Sequence, residues 1–230
     1  MRDDHDREIA AMFDRIAARY DVLNRVLSFG TDVGWRRRAM ARAGIRPGML
    51  VADVGAGTGD LSFATAARGA RVLAIDLSPG MLAVLDRRAG ESLRSRIRSI
   101  VGSAEQLPLP DASVDRIVTG FTVRNIGDRP RAFREFRRVL RPSGRLVVLE
   151  LSHPPSPPFA RLYSGYFDHV APAMAALLGG DREAYRYLPR SLRPFPDPDG
   201  LATMLRDAGF GSVGFERLAL GIAAIHVAQV

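Results

Sequence analysis

A short apolar run, Met49-Leu-Val-Ala52, leads straight into Asp53-Val-Gly-Ala-Gly-Thr-Gly-Asp60, and a second run, Arg71 to Ile75, ends on Asp76. Few local patterns constrain a chain as tightly. The first run reads as a buried parallel strand over 49–54, and Leu61 to Ala67 as the helix that follows it. Glycines at 55, 57 and 59 let the backbone turn sharply and bring N–H groups close to a ligand. Asp76, at the tip of the next strand, stands where a carboxylate can accept the two hydroxyls of a ribose. A dinucleotide fingerprint of the form G-x-G-x-x-G would need glycine where Asp60 stands. A side chain there crowds a pyrophosphate, and its charge repels one. A cationic ligand without phosphate suits a rim carrying Asp53 and Asp60, and S-adenosylmethionine has both properties.

The strand–helix alternation continues. Strands are expected near 97–102, 114–120 and 145–151, and helices near 79–89 and 130–140, which argues a mostly parallel sheet covered on both faces. Further loops at strand C-terminal ends, Gly102 to Pro108 and Val118 to Phe121, complete a ring around the ligand position. The cofactor set is therefore Asp53, Gly55, Gly57, Thr58, Gly59 and Asp76, with Ser103, Ala104 and Gly120 from the later loops. Upstream, Ile9, Ala10, Phe13, Ile16 and Ala17 fall at helical spacing over 6–19, and a basic helix is expected over 32–42 with Asp32 as its N-cap. Downstream, prolines 154, 155, 157 and 158 forbid a central strand or a helix interior and open an irregular or helical insertion that runs to about 195. A helix over 199–208 and a hairpin of strands, 212–218 and 221–229, end the chain, so the last strand should be antiparallel.

Composition narrows the function. At 230 residues, one domain with a sizeable core is the simplest organisation. Cysteine is absent, which removes disulfides and zinc–thiolate sites and fits a cytoplasmic setting; no metal site is expected. The net charge of +8 comes from 33 arginines with no lysine. They are scattered without interleaved aromatics, so a nucleic-acid partner is not expected. Val170 to Leu178 is too short for a membrane span of about 20 residues, and Pro172 interrupts it.

Tyr20-Asp-Val-Leu-Asn24, Ser28-Phe-Gly30 and Trp35-Arg36 resemble the N-terminal signature of the UbiE/MenG/COQ5 quinone C-methyltransferases. Arg138-Val-Leu-Arg-Pro-Ser-Gly-Arg145, running on through Glu150-Leu-Ser152, is similar to their second signature. The likeness extends through Phe121 to Asn125, Tyr185 to Leu188, Ser191, Arg193, Asp197 and Ala224 to His226, so it spans nearly the whole chain. Ser103 stands where members usually carry Asp or Asn, Gly120 where serine is common, and Asp32 where many carry histidine. Menaquinone-type members look acidic at that last position.

The resemblance implies a class I S-adenosylmethionine methyltransferase fold: an α/β Rossmann-like, mostly parallel seven-stranded sheet with an antiparallel last strand and helices on both faces. It implies C-methylation of a polyprenyl hydroquinone, with demethylmenaquinol to menaquinol as the favoured reaction. The alternatives are the methoxy-polyprenyl-benzoquinol of ubiquinone synthesis, a soluble metabolite, or a non-enzymatic subunit of a quinone-synthesis complex. Arg124 and Asn125 are the candidates for the ring oxygens, Tyr20 for a quinol hydroxyl or closure over the cofactor, and His169 for a base; His226 reads as structural. Residues 1–45 and 153–195 are expected to form a lid within the single domain 1–230. Phe159, Leu162, Tyr163, Tyr166, Phe167, Met174, Leu177 and Leu178 are expected to line a channel for an isoprenoid tail. The reading leaves room for a homodimer and for peripheral contact with the inner face of a cytoplasmic membrane.

Overall fold

The computed structural model describes residues 2–17, 21, 25, 28–166, 187 and 190–230. Its strands are β1 (Leu50–Val54), β2 (Arg71–Asp76), β3 (Ile97–Val101), β4 (Val114–Gly120), β5 (Leu140–Leu151), β6 (Ser212–Leu218) and β7 (Ala223–Gln229). They form one sheet in the order β3-β2-β1-β4-β5-β7-β6. The pairs from β3 to β5 are parallel, and β7 runs antiparallel to both β5 and β6. This is the expected mostly parallel sheet with its last strand reversed. Chain order reverses between β1 and β4, which opens a crevice at the strand C-terminal ends.

Alternation along the strands divides the interior into two layers. Ala52 and Val54 of β1, Ile117 of β4, and Leu146 and Val148 of β5 face one layer. Val51, Val118, Val147 and Leu149 face the other. Both layers are covered by helices, which is why the strands read as nearly unbroken apolar runs.

The helices are α1 (Arg2–Ile16), α2 (Thr31–Ala43), α3 (Asp60–Ala66), α4 (Pro79–Arg88), α5 (Glu91–Arg94), α6 (Arg129–Val139), α7 (Pro157–Gly165) and α8 (Pro198–Asp207). Ala39, Met40 and Ala43 of α2 pack with Leu61 of α3 on one face of the sheet. Ala132, Phe133, Phe136 and Val139 of α6 pack with Leu201 and Leu205 of α8 on the other. Three helix starts share one device, a side-chain cap followed by proline in the first turn. Ser78 Oγ accepts from Met81 N at 3.0 Å, an Asp128 carboxylate oxygen accepts from Arg131 N at 3.1 Å, and Asp197 does so from Gly200 N at 2.8 Å. The prolines at 157 and 158 open α7, where the missing N–H groups cost nothing.

The expected cap at Asp32 is corrected. Helix α2 begins at Thr31 with left-handed Gly30 as its N-cap and no side-chain cap. Asp32 is instead buried in the first turn, where it accepts from Ser28 Oγ at 2.8 Å and pairs with Arg36 and Arg25. Strand β5 starts five residues earlier than the sequence suggests. Its early pairing, Val114 with Leu140, is separated by an irregularity from the main register of Arg116 with Arg145. His226 is structural, as expected: its Nε2 donates to the Pro198 carbonyl at 2.9 Å, fastening β7 to the start of α8. Burial pulls its pKa down to about 4, so the ring is neutral near pH 7.

No helix among the described residues is long and apolar enough to cross a membrane. Phe136 is fully buried between α6 and the sheet. Phe136→Ala should lower unfolding stability by about 3–5 kcal/mol in a urea titration and leave the sheet fold intact.

Candidate active site

The loops after β1, β2, β3 and β4 meet at one edge of the sheet around a solvent-open cleft. Its walls include Gly55, Gly57, Asp76, Ser103, Ala104, Gly120 and Asn125, all expected from sequence. Gly55 has φ +70°, and a Cβ on it would lie 2.2 Å from Thr122, so both its conformation and its neighbour demand glycine. Gly57 has φ +54° with open space where a side chain would point, and its N–H donates to Asp76 Oδ2 at 2.8 Å.

Asp76 is thereby held from two sides, because its Oδ1 also accepts from Ser78 N at 2.9 Å. Burial raises its pKa, and the two backbone N–H groups oppose that rise. Asp53 lies deeper, 1% exposed, behind the cleft wall. Its Oδ2 accepts from Ser62 Oγ at 2.6 Å, and its Oδ1 is buried with no hydrogen-bond partner among the described residues. Burial and then the Asp76 charge push its pKa up to about 7, against the pull of the Ser62 hydrogen bond. One buried and one half-buried acid with surplus acceptor capacity make this end of the cleft suited to a cation and hostile to a phosphate.

Thr58 and Gly59 support the loop from outside the cleft. Thr58 Oγ1 donates to Asp21 Oδ1 at 2.5 Å, and a Cβ on Gly59 would lie 2.7 Å from Leu85. Asp60 does not form the expected rim. Its carboxylate is taken by Arg88 at 3.0 Å and Arg36 at 3.7 Å, partners far away in sequence. Ser103 Oγ donates to Asp6 Oδ2 at 2.9 Å, and a Cβ on Gly120 would meet Leu61 at 2.9 Å, so a larger residue there would displace that core side chain.

Helix α1 contributes wall residues that the sequence did not assign to the cofactor site: Asp6, Ile9, Ala10 and Phe13. Its stripe of apolar residues announced a buried face without saying what it covers. It is fastened by Asp14, which accepts from Ser78 Oγ at 2.5 Å and Gly80 N at 2.8 Å, and by His5, whose Nε2 donates to the Asn125 carbonyl at 3.1 Å. Phe121 and Thr122 also line the cleft. Phe121 has φ +61°, a costly conformation for a bulky residue, and its ring sits 6.4 Å from that of Trp35 with the Arg36 guanidinium 5.0 Å above it.

Arg124 and Asn125 occupy a short 3-10 turn, Val123–Asn125, after β4. Asn125 lines the cleft, and its Oδ1 is buried with no hydrogen-bond partner among the described residues. Arg124 is only 8% exposed and is locked to Glu150: its Nη1 donates to Oε1 at 2.7 Å and its backbone N to Oε2 at 3.1 Å. The same Nη1 donates to the Phe121 carbonyl at 2.7 Å. Tyr163, whose side chain packs in the core layer beside this pair, has its pKa raised by burial. Tyr20 and His169 lie outside the described residues, as do Phe167, Met174, Leu177 and Leu178.

The sequence model of the ubiE/COQ5 methyltransferase family matches residues 1–230. A demethylmenaquinone methyltransferase of Thermus thermophilus is 45% identical over 94% of this chain and 98% of its own length. A ubiquinone/menaquinone biosynthesis C-methyltransferase UbiE of Paracoccus denitrificans is 42% identical over 95% and 88%. Among solved structures, an S-adenosylmethionine-dependent methyltransferase from Aquifex aeolicus superposes with a TM-score of 0.61 at 19% identity over 84% of this chain and 88% of its own. The [4+2]-cyclase SpnF does so with 0.71 at 20% over 96% and 94%. At those identities the structures establish the fold alone.

Asp53 makes the ligand-free protein sensitive to pH with a definite sign. A carboxyl with a folded pKa near 7 and an ordinary unfolded value near 3.8 holds its proton more tightly when folded. Its contribution to stability is therefore full below about pH 4 and is lost as pH rises through 7, by up to about 4 kcal/mol. Thermal unfolding without ligand should show Asp53→Asn more stable than the parent at pH 8 and nearly equal to it at pH 4.

Proposed function

The chain belongs to the ubiE/COQ5 methyltransferase family, and from that membership we propose that it transfers the methyl group of S-adenosylmethionine to a ring carbon of demethylmenaquinol. It is an S-adenosylmethionine-dependent C-methyltransferase acting on a quinone precursor. Demethylmenaquinol is favoured over the ubiquinone precursor because the relative that is 45% identical is a demethylmenaquinone methyltransferase, against 42% for a UbiE relative. Asp32 offers no direct support for that choice, because it is buried and paired away from the cleft.

The residues present fit the cofactor. Asp76 has two oxygens for ribose hydroxyls, already oriented by Gly57 and Ser78. Asp53 supplies a buried negative charge under the glycine loop. When bound, the cofactor supplies an electrophilic methyl group on a sulfonium.

The substrate side of the cleft has a different character. The unpartnered Asn125 Oδ1 carries the assignment: it can accept a hydrogen bond from a quinol hydroxyl and fix the ring against the cofactor. Arg124 is held beside it with Glu150 balancing its charge. Its guanidinium remains protonated at neutral pH, so it stabilises a developing phenolate by its field and does not act as a base. Phe121, Ile9 and Phe13 keep water from the reacting atoms, which favours a step in which opposite charges are neutralised. Tyr20 and His169 remain candidates for the quinol hydroxyl and for its base. Helix α1, which lines the cleft, and residues 153–195 then serve as a lid over a lipophilic substrate, while α2 packs on a face of the sheet. The protein works at the inner face of the cytoplasmic membrane, where such a substrate resides.

The direct test is the mass of the product formed from methyl-labelled S-adenosylmethionine and a short-chain demethylmenaquinol. One added labelled methyl on the ring is expected, and turnover only of the methoxy-benzoquinol precursor would overturn the substrate assignment. Asn125→Ala should lower kcat by about 10²-fold with cofactor affinity unchanged. Asn125 is the cleaner probe, because Arg124→Ala leaves Glu150 buried without its partner and should cost about 3–5 kcal/mol of stability.

A further inference from the structure

The carboxylate of Asp6 belongs to α1, outside the strand-end loops, yet it forms part of the cleft wall beside Gly102, Ser103 and Ala104. Only Oδ2 is engaged among the described residues, by the Ser103 hydroxyl at 2.9 Å. That hydroxyl in turn accepts from Glu105 N at 3.2 Å, so its proton is directed to Asp6 and its lone pair to the loop backbone. Ser103 is thus committed as an orienting group and is a poor acceptor for anything else. Asp6 keeps the acceptor capacity of its second oxygen.

The position of this carboxylate relative to Asp76 gives it a ligand. The cleft wall runs from Asp76 at the end of β2 to the loop after β3, the space a base would take if its ribose sat on Asp76. The walls there are Leu77, Met81, Ile9, Phe13 and Ala104, an apolar slot for a flat ring. A Cβ on Gly102 would come within 3.0 Å of Pro108, so this side of the slot is also tight. Adenine in such a slot presents a 6-amino group with two N–H donors, and leaving a buried donor unpaired is costly.

We propose that Asp6 is a cofactor-binding residue that accepts a hydrogen bond from the adenine 6-amino group, with Ser103 and the anchored helix α1 as its positioning elements. The proposal rests on S-adenosylmethionine being the cofactor. The helix is pinned on both sides of Asp6, by His5 to the Asn125 carbonyl and by Asp14 to Ser78 and Gly80. Base recognition is therefore delivered by the N-terminal helix, and it is complete only when that helix lies in place.

Calorimetric titration with S-adenosylhomocysteine and S-inosylhomocysteine, in which an oxo group replaces the amine, tests this. The parent protein should prefer the adenosyl ligand by about ten-fold or more, the scale of a hydrogen bond to a charged group. Asp6→Ala should lose most of that preference by weakening the adenosyl ligand alone. Asp6→Asn, which retains an acceptor and adds a donor, should restore much of the adenosyl affinity and improve inosyl binding. Asp14→Asn, which loosens the same helix without touching the base, should weaken both ligands by the same factor. If Asp6→Ala also weakens both ligands equally, Asp6 merely fastens the helix and the proposal falls. A parent protein that binds neither ligand overturns the cofactor assignment and the proposal with it.

Discussion

A buried carboxylate, Asp53, and a half-buried one, Asp76, at the C-terminal ends of β1 and β2 set the terms for everything around them. Asp53 and Asp76 are both raised above their ordinary pKa by burial, and the charge of Asp76 raises Asp53 further. Such a pair is costly in an empty protein and favourable once a cation arrives. The backbone is arranged to tolerate it. Gly57 turns its N–H onto Asp76, Ser78 does the same from the start of α4, and Ser62 reaches Asp53 from α3. The three glycines of the first loop all take positive φ, and Gly55 and Gly59 also have no room for a side chain, against Thr122 and Leu85.

The two ends of the cleft handle charge in opposite ways. Toward the cofactor, acidic groups are left with spare acceptors. Around the turn after β4, Arg124 is compensated by Glu150, and a polar side chain that lines the cleft there is the neutral amide of Asn125. A methyl transfer that begins with a sulfonium and a phenolate and ends with neutral products suits this division. Helix α1 spans both ends, since its His5 reaches the Asn125 turn and its Asp14 the Asp76 turn. Whatever moves that helix therefore alters both binding events together.

The sheet was legible because its inner strands are largely apolar and three of its helices carry explicit caps, Ser78, Asp128 and Asp197. The glycine loop and Asp76 were legible for a similar reason: their roles depend on neighbours a few residues away or on the adjoining strand. The failures all come from distant partners. Asp60 looked like a rim residue, but Arg36 and Arg88 take its charge. Asp32 looked like a cap, but Arg36 draws it inward while left-handed Gly30 begins the helix. Asp6 and Phe13 carry no local mark that separates a helix over a cleft from a helix on a core. Helix α5, four residues long, is too short to leave a periodic signal. Arg124 was found as a residue, but its ion pair with a glutamate 26 positions away was not visible.

Proton release on cofactor binding tests the central role of Asp53 and Asp76 most directly. Calorimetry of S-adenosylmethionine binding at pH 6.5, repeated in buffers of different ionisation enthalpy, counts the protons exchanged. A cation entering beside Asp53 should lower its pKa and drive out a fraction of a proton, and Asp53→Asn should abolish that release. Binding with no proton released by the parent protein, or tight binding of NADH in place of S-adenosylmethionine, would contradict the account.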